Sequence, residues 1–174
     1  MQDFKILNRR VGPKHKPLII VELGINHNGK FSIAKQIIDK AKMAGAEIIK
    51  HQTHLAEFEM SEEAKKIIPV HTKDDIFKII SDCSLSEGDE IKLKQYIEKK
   101  KMIFISTPFS REASNRLNKM KVPAFKIGSG ECNNYPLIEH ICKFNKPIIL
   151  STGMNDIPQI KKAVKIIEKN KIPY

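Results

Sequence analysis

The chain has 174 residues, enough for about one domain with a sizeable core. Its formal net charge of +11 points to an anionic partner, which nucleic acid, a membrane surface or a phosphorylated metabolite would each satisfy. Three cysteines at unrelated spacings argue against a disulfide framework or a zinc knuckle, and no apolar run approaches the roughly 20 residues of a membrane span, so a reduced, cytoplasmic setting is expected.

Residues 1–16 form a short N-terminal segment containing Gly12 and Pro13. Pro17 then leads into a first strand, whose apolar run Leu18 to Val21 ends in Glu22. Asn26 to Gly29 make a loop, Ser32 is the expected cap of the first helix, and Ile33, Ile37, Ile38 and Ala41 give that helix an apolar face before Gly45 ends it. A second strand over Ala46 to Gln52 runs into His51, Gln52, Thr53 and His54. The stretch from Leu55 to about Leu85 reads as a helical insertion over the strand ends, and Asp89 to Lys100 as the next crossover helix. Strand Met102 to Ile105 ends in Ser106, Thr107 and Pro108; helix Arg111 to Lys121 follows. Strand Ala124 to Ile127 ends in Gly128 to Glu131 and precedes helix Tyr135 to Phe144; strand Pro147 to Leu150 ends in Ser151, Thr152 and Gly153 and precedes helix Asp156 to Lys169.

Strands alternating with helices build a parallel α/β sheet, in which ligands sit beyond the carboxyl ends of the strands. The five polar strand ends are therefore one candidate site assembled from distant segments. Two architectures fit this rhythm: a five-stranded doubly wound domain of flavodoxin type, or the first five units of a (β/α) TIM barrel, which needs about 250 residues for eight. Periodicity leaves the two near parity, and the stop at Ile172, Pro173 and Tyr174, where another strand should begin, favours a partial barrel.

Most lysines fall on expected helix exteriors, such as Lys92, Lys94 and Lys99 to Lys101, where they alternate with Glu90 and Glu98. No basic stripe is interleaved with aromatics, so a solvated surface rather than a nucleic-acid face is expected. Lys50 and Lys126 differ, because each ends a strand-like run. With hydroxyls at Thr107, Ser129 and Ser151 on the same rim, and Gly128 and Gly130 letting backbone approach a ligand, they suit a phosphate and carboxylate cradle. Glu22 ends an otherwise apolar strand, where a carboxylate must be paired, face solvent or work as an acid or base; a salt bridge to Lys50 is the structural alternative. His51 and His54, three apart on an extended segment, point to opposite faces and read as packing or loop groups, as does His27. No stretch supplies a transition-metal ligand set, a Walker A loop or a third glycine for G-x-G-x-x-G, where Asn133 stands instead.

Together, Glu22 to Gly29 (ELGINHNG), Lys50 to His54 (KHQTH), Phe104 to Ser110 (FISTPFS), Phe125 to Asn134 (FKIGSGECNN) and Leu150 to Met154 (LSTGM) closely resemble the bacterial sialic acid synthase family from about Pro17 onward. The resemblance implies residues 17–174 as the N-terminal part of a TIM-barrel catalytic domain, with the later barrel half and an antifreeze-like domain lying outside this chain. It implies condensation of phosphoenolpyruvate with N-acetylmannosamine or a related N-acetylated hexose and water, giving N-acetylneuraminate or a related nonulosonate and phosphate. Lys50, Thr107, Lys126, Ser129 and Ser151 match positions that hold phosphoenolpyruvate; Glu22 and Glu131 match the two carboxylates near the reacting carbons; Gln52 and Phe109 match the sugar pocket. It further implies a divalent cation, Mn²⁺ or Mg²⁺, bound by residues outside this chain, a homodimer of the full-length enzyme, and an inactive isolated portion. Two other readings stay open: a class I aldolase with Lys126 or Lys50 as the Schiff-base amine, and a basic nucleic-acid-binding domain.

Overall fold

A computed structural model describes residues 3–174. It begins with an antiparallel hairpin, β1 (Phe4–Ile6) and β2 (Arg9–Val11), where the sequence suggests only a short segment. The main sheet is parallel and holds β3 (Ile20–Gly24), β4 (Ile48–Thr53), β5 (Ile103–Pro108), β6 (Phe125–Ile127) and β7 (Ile148–Leu150). Its spatial order is its chain order, β3-β4-β5-β6-β7. A flavodoxin-type sheet reverses direction after its first crossover, so this unreversed order removes the doubly wound alternative.

Helix α1 (Phe31–Met43) joins β3 to β4. A 3-10 turn (Ala56–Phe58), α2 (Glu62–Lys65) and α3 (Ile76–Cys83) make the insertion after β4, and α4 (Glu87–Lys99) returns to β5. Then α5 (Arg111–Lys119), α6 (Tyr135–Cys142) and α7 (Ile157–Lys169) alternate with the remaining strands. Ser86, Ser110, Asn134 and Asp156 cap α4 to α7 by accepting a backbone N–H at the first turn, and Asp156 with Gln159 completes a capping box. Ser32 does not cap α1; Lys30 holds that position without a side-chain bond, and Ser32 lies within the helix. At the helix-to-strand turns Gly45, Lys101, Lys121, Asn145 and Lys171 all have positive φ, so one left-handed step recurs with glycine used once.

Strand alternation divides the sheet into two faces. One packs Leu23, Ile49, Phe104, Phe125, Ile127 and Ile148 against Ile38, Leu93, Ile97, Leu117, Ile138 and Ile167 of the helices. The opposite face carries Ile48, Ile105 and Ala124, which close on Ile6 of the hairpin. Arg9 anchors that hairpin by donating from Nε to Glu47 at 2.7 Å and from Nη2 to the Lys16 carbonyl at 2.8 Å. The hairpin covers the amino-terminal half of the helix-free face; its carboxyl-terminal half carries the polar residues. After α7 the chain already runs beside β7, since Ile148 N–H donates to the Pro173 carbonyl at 2.9 Å. Among the described residues, no helix is long and apolar enough to cross a membrane.

Candidate active site

On the helix-free face, the pleat that points Ile20, Ile48, Ile105 and Ala124 toward the hairpin also points Glu22, Lys50, Thr107 and Lys126 the same way, one step further along each strand. Register aligns them: Glu22 lies opposite Lys50, and Gln52 opposite Thr107. Lys50 Nζ pairs with Glu22 Oε2; Lys50 is mostly buried, whereas Glu22 keeps half its side-chain surface. The pair expected as a structural alternative therefore forms, within the rim.

Lys126 Nζ donates to the Ile127 carbonyl at 2.8 Å and to Ser151 Oγ. Burial pushes its ammonium down to about 8, helped by the nearby charge of Lys50 and opposed by Glu22. Both lysines and Glu22 thus share one electrostatic neighbourhood, reached from β3, β4 and β6, with Ser151 after β7 completing it.

Thr107 is buried and sits beside the β6 turn: a methyl group added at Gly128 would lie 3.7 Å from Thr107 Cγ2 and 3.9 Å from Phe109 Cε1. A 3-10 turn over Ser129–Glu131 follows. Asn155 Nδ2 donates to the Ser129 carbonyl at 2.7 Å, joining this turn to the loop after β7, while Ser129 Oγ faces Met154 Sδ at 3.6 Å. Glu131 accepts from Asn134 Nδ2 at 2.7 Å and, with Phe58, Glu59, Phe109 and Arg111, lines a polar cavity of about 330 Å³. Phe109 stacks on the His54 ring with centroids 4.2 Å apart; His54 Nδ1 lies 2.8 Å from Glu59 Oε2 and Nε2 lies 3.4 Å from Gln52 Oε1. The nine candidate residues therefore fall into a charged arc (Glu22, Lys50, Lys126, Ser151), a bridge of Thr107 and Ser129, and a flanking aromatic and carboxylate cavity bearing Phe109 and Glu131, with Gln52 tied to it through His54.

Glu90, expected among the solvated helix charges, is instead 1% exposed, on the same face of α4 as Leu93 and Ile97. It approaches His51, Thr53 and Arg116 behind the sheet. Its spacing of three and seven from Leu93 and Ile97 was the available signal. His27 and His51 are buried there too, and burial next to His51 holds the His27 imidazole down at about 4, against the Gly24 carbonyl and Glu90. Among the described residues, no group of three or more His, Cys, Asp or Glu side chains is arranged to hold a metal ion.

Residues 37–173 match the sequence profile of the NeuB family. An uncharacterized protein of Methanocaldococcus jannaschii is 42% identical over 98% of this chain and 48% of its own length. The N,N'-diacetyllegionaminic acid synthase of Campylobacter jejuni is 37% identical over 89% of this chain and 48% of its own. The crystal structure of an N-acetylneuraminic acid (sialic acid) synthetase from Leptospira borgpetersenii, in complex with citrate, superposes with a TM-score of 0.86 at 29% identity, covering 99% of this chain and 57% of that one. The chain spans about half the length of the curated relatives it matches.

Proposed function

The chain belongs to the NeuB family, and from that premise we propose that it carries the phosphoenolpyruvate-binding half of a nonulosonate synthase built on a (β/α) barrel. The reaction proposed is condensation of phosphoenolpyruvate with N-acetylmannosamine or a related N-acetylated hexose. A carbon–carbon bond forms between the methylene carbon and the sugar aldehyde, water adds at the former enol carbon, and phosphate leaves with its bridging oxygen.

The observation that carries this reading is the charged arc: two lysines and two hydroxyl-bearing strand ends converge on one helix-free face. A trianion needs that donor set, and Lys126, half-discharged near pH 8, gains an anionic partner when the ligand enters. Lys50, Thr107, Lys126, Ser129 and Ser151 hold the phosphate and carboxylate. Glu22, paired with Lys50 yet half exposed, and Glu131, on the cavity wall, are the carboxylates for proton transfer, while Gln52 and Phe109 bound the sugar. The described donors of this chain do not build a site for the divalent cation that the family resemblance implies, so no step is assigned to one. The isolated 174-residue chain is accordingly expected to bind phosphoenolpyruvate without turning it over.

Titration calorimetry with phosphoenolpyruvate tests the reading. Saturable binding that Lys126→Met abolishes and that adds no free phosphate by ³¹P NMR supports it; a wild-type chain that ignores phosphoenolpyruvate refutes it. The lowered Lys126 amine also suits a Schiff-base aldolase. Borohydride trapping of a pyruvate adduct on Lys126 would favour that second reading.

A further inference from the structure

Behind the strands that carry the arc lies a buried polar chain that runs through five residues from four parts of the fold. Gly29 N–H donates to His27 Nδ1 at 3.2 Å. That donor sets the direction of the chain through the two imidazoles, with the Gly24 carbonyl as a further acceptor beside the His27 ring, and the Glu90 carboxylate sets it for the two hydroxyls. His27 Nδ1 is an acceptor, so its proton is on Nε2, which lies 3.1 Å from His51 Nε2. His51 Nε2 must accept, leaving Nδ1–H to face Glu90 Oε1 at 3.2 Å. Thr53 Oγ1 donates to the same carboxylate oxygen, which leaves it to accept from Ser106 Oγ at 2.7 Å. All the donors converge on Glu90, whose second oxygen has no hydrogen bond among the described residues and faces Arg116 Nη1 at 3.5 Å. His27, His51, Thr53, Glu90 and Ser106 are each at most 1% exposed.

The placement of these groups along the strands is what links them to chemistry. His51 stands between Lys50 and Gln52, Thr53 follows Gln52, and Ser106 precedes Thr107, so each of these strand residues is a direct neighbour of a group on the opposite face. A side chain fixed behind the sheet fixes the peptide planes on either side of it, and hence the direction in which the neighbouring side chain leaves the sheet. A core needing only apolar contact would use valine or isoleucine here without a desolvation cost. We propose that Glu90, acting through His51, Thr53 and Ser106, is a positioning residue that sets Lys50, Gln52 and Thr107 for ligand binding. This rests on the reading of those three as substrate-binding groups. A fully directed network tolerates one arrangement of its members, whereas an apolar layer permits small slips along β4 and β5. His27 extends the same control to the loop after β3.

The test uses charge-neutral substitutions in the 174-residue chain. Thr53→Val removes one donor to Glu90 at constant shape, and Ser106→Ala removes the next hydroxyl. Two quantities are read by NMR: the titration midpoint of the Lys126 amine without ligand, and the affinity for phosphoenolpyruvate. Each variant should keep a cooperative unfolding transition, raise the Lys126 midpoint by about half a pH unit as Lys50 drifts away, and lose about tenfold in affinity. Long-range ¹H–¹⁵N spectra of the wild type should show the proton on Nε2 of His27 and on Nδ1 of His51. Folded variants with unchanged midpoint and affinity, or a His51 protonated on Nε2, would overturn the inference. If the wild type binds no phosphoenolpyruvate, the functional reading fails, and the Lys126 midpoint alone decides the positioning role; should one variant not fold, the other decides.

Discussion

Lys126 is where binding and stability pull apart, and Lys126→Met should expose it. In the folded chain burial takes the ammonium from 10.5 to about 8, a fall of roughly two and a half pH units. At about 1.36 kcal/mol each, holding the charged form inside costs ~3 kcal/mol at neutral pH. The sign follows from proton counting. Between pH 8 and 10.5 the unfolded chain keeps a proton that the folded chain has lost, so wild-type stability rises with pH through that window and is flat on either side. Methionine removes the titration but also the bonds to Ile127 and Ser151, worth about 1 kcal/mol each. At pH 7 the variant should therefore be more stable by about 1 kcal/mol, and at pH 11 less stable by about 2 kcal/mol. Urea unfolding of both proteins across pH 7 to 11 measures the difference directly, because other titrating groups cancel between them. Stability curves that stay parallel to within ~0.5 kcal/mol would refute the placement of a charged amine in a desolvated site. Calorimetry on the same pair should show the variant blind to phosphoenolpyruvate, and wild-type binding above pH 8 should take up a proton, visible as a dependence on buffer ionisation enthalpy.

Acid should destabilise the fold through His27: its imidazole is held at about 4 against 6.5 when free, so about 3 kcal/mol is lost as pH falls from 6.5 toward 4. A shallower acid limb in His27→Gln, followed by urea titration, checks this. Gly29→Ala should cost about 2 kcal/mol or more, because the residue has φ +67 and an added methyl would lie 2.3 Å from the Asp82 carbonyl oxygen. Circular dichroism melts would show a lowered midpoint, whereas an unchanged midpoint would mean that α3 yields freely.

What the sequence revealed divides along physical lines. Strand ends were legible because a polar or charged residue terminating an apolar run is a local anomaly, and Glu22, Lys50, Thr107 and Lys126 all lie in the strands expected from those runs. The crossover helices were legible from their apolar spacing: with Ser86 as its cap, α4 starts at Glu87, two residues before the expected Asp89, whereas α5 starts at the expected Arg111 and ends at Lys119 rather than Lys121. The hairpin was not. Two three-residue strands with charged members carry no periodicity, and their stability comes from Ile6 meeting Ile48, Ile105 and Ala124 far along the chain. Glu90 was misjudged because its surroundings in the chain are charged, while its partners lie 37 and 39 residues away. Sheet order also had to come from the fold, since the same alternation of elements serves both reversed and unreversed arrangements.

The arc spans the whole width of the sheet, with Glu22 on β3 at one border and Ser151 just past β7 at the other. Its two ends therefore stand on the two border strands, and beside β7 the chain already lays Pro173, whose carbonyl accepts from Ile148 N–H. Any strand that docks along either border settles next to a residue of the proposed site, so growth of the sheet would also enlarge that site. Edge pairing, ordinarily a hazard of solubility, would here also decide which surfaces the proposed ligand meets.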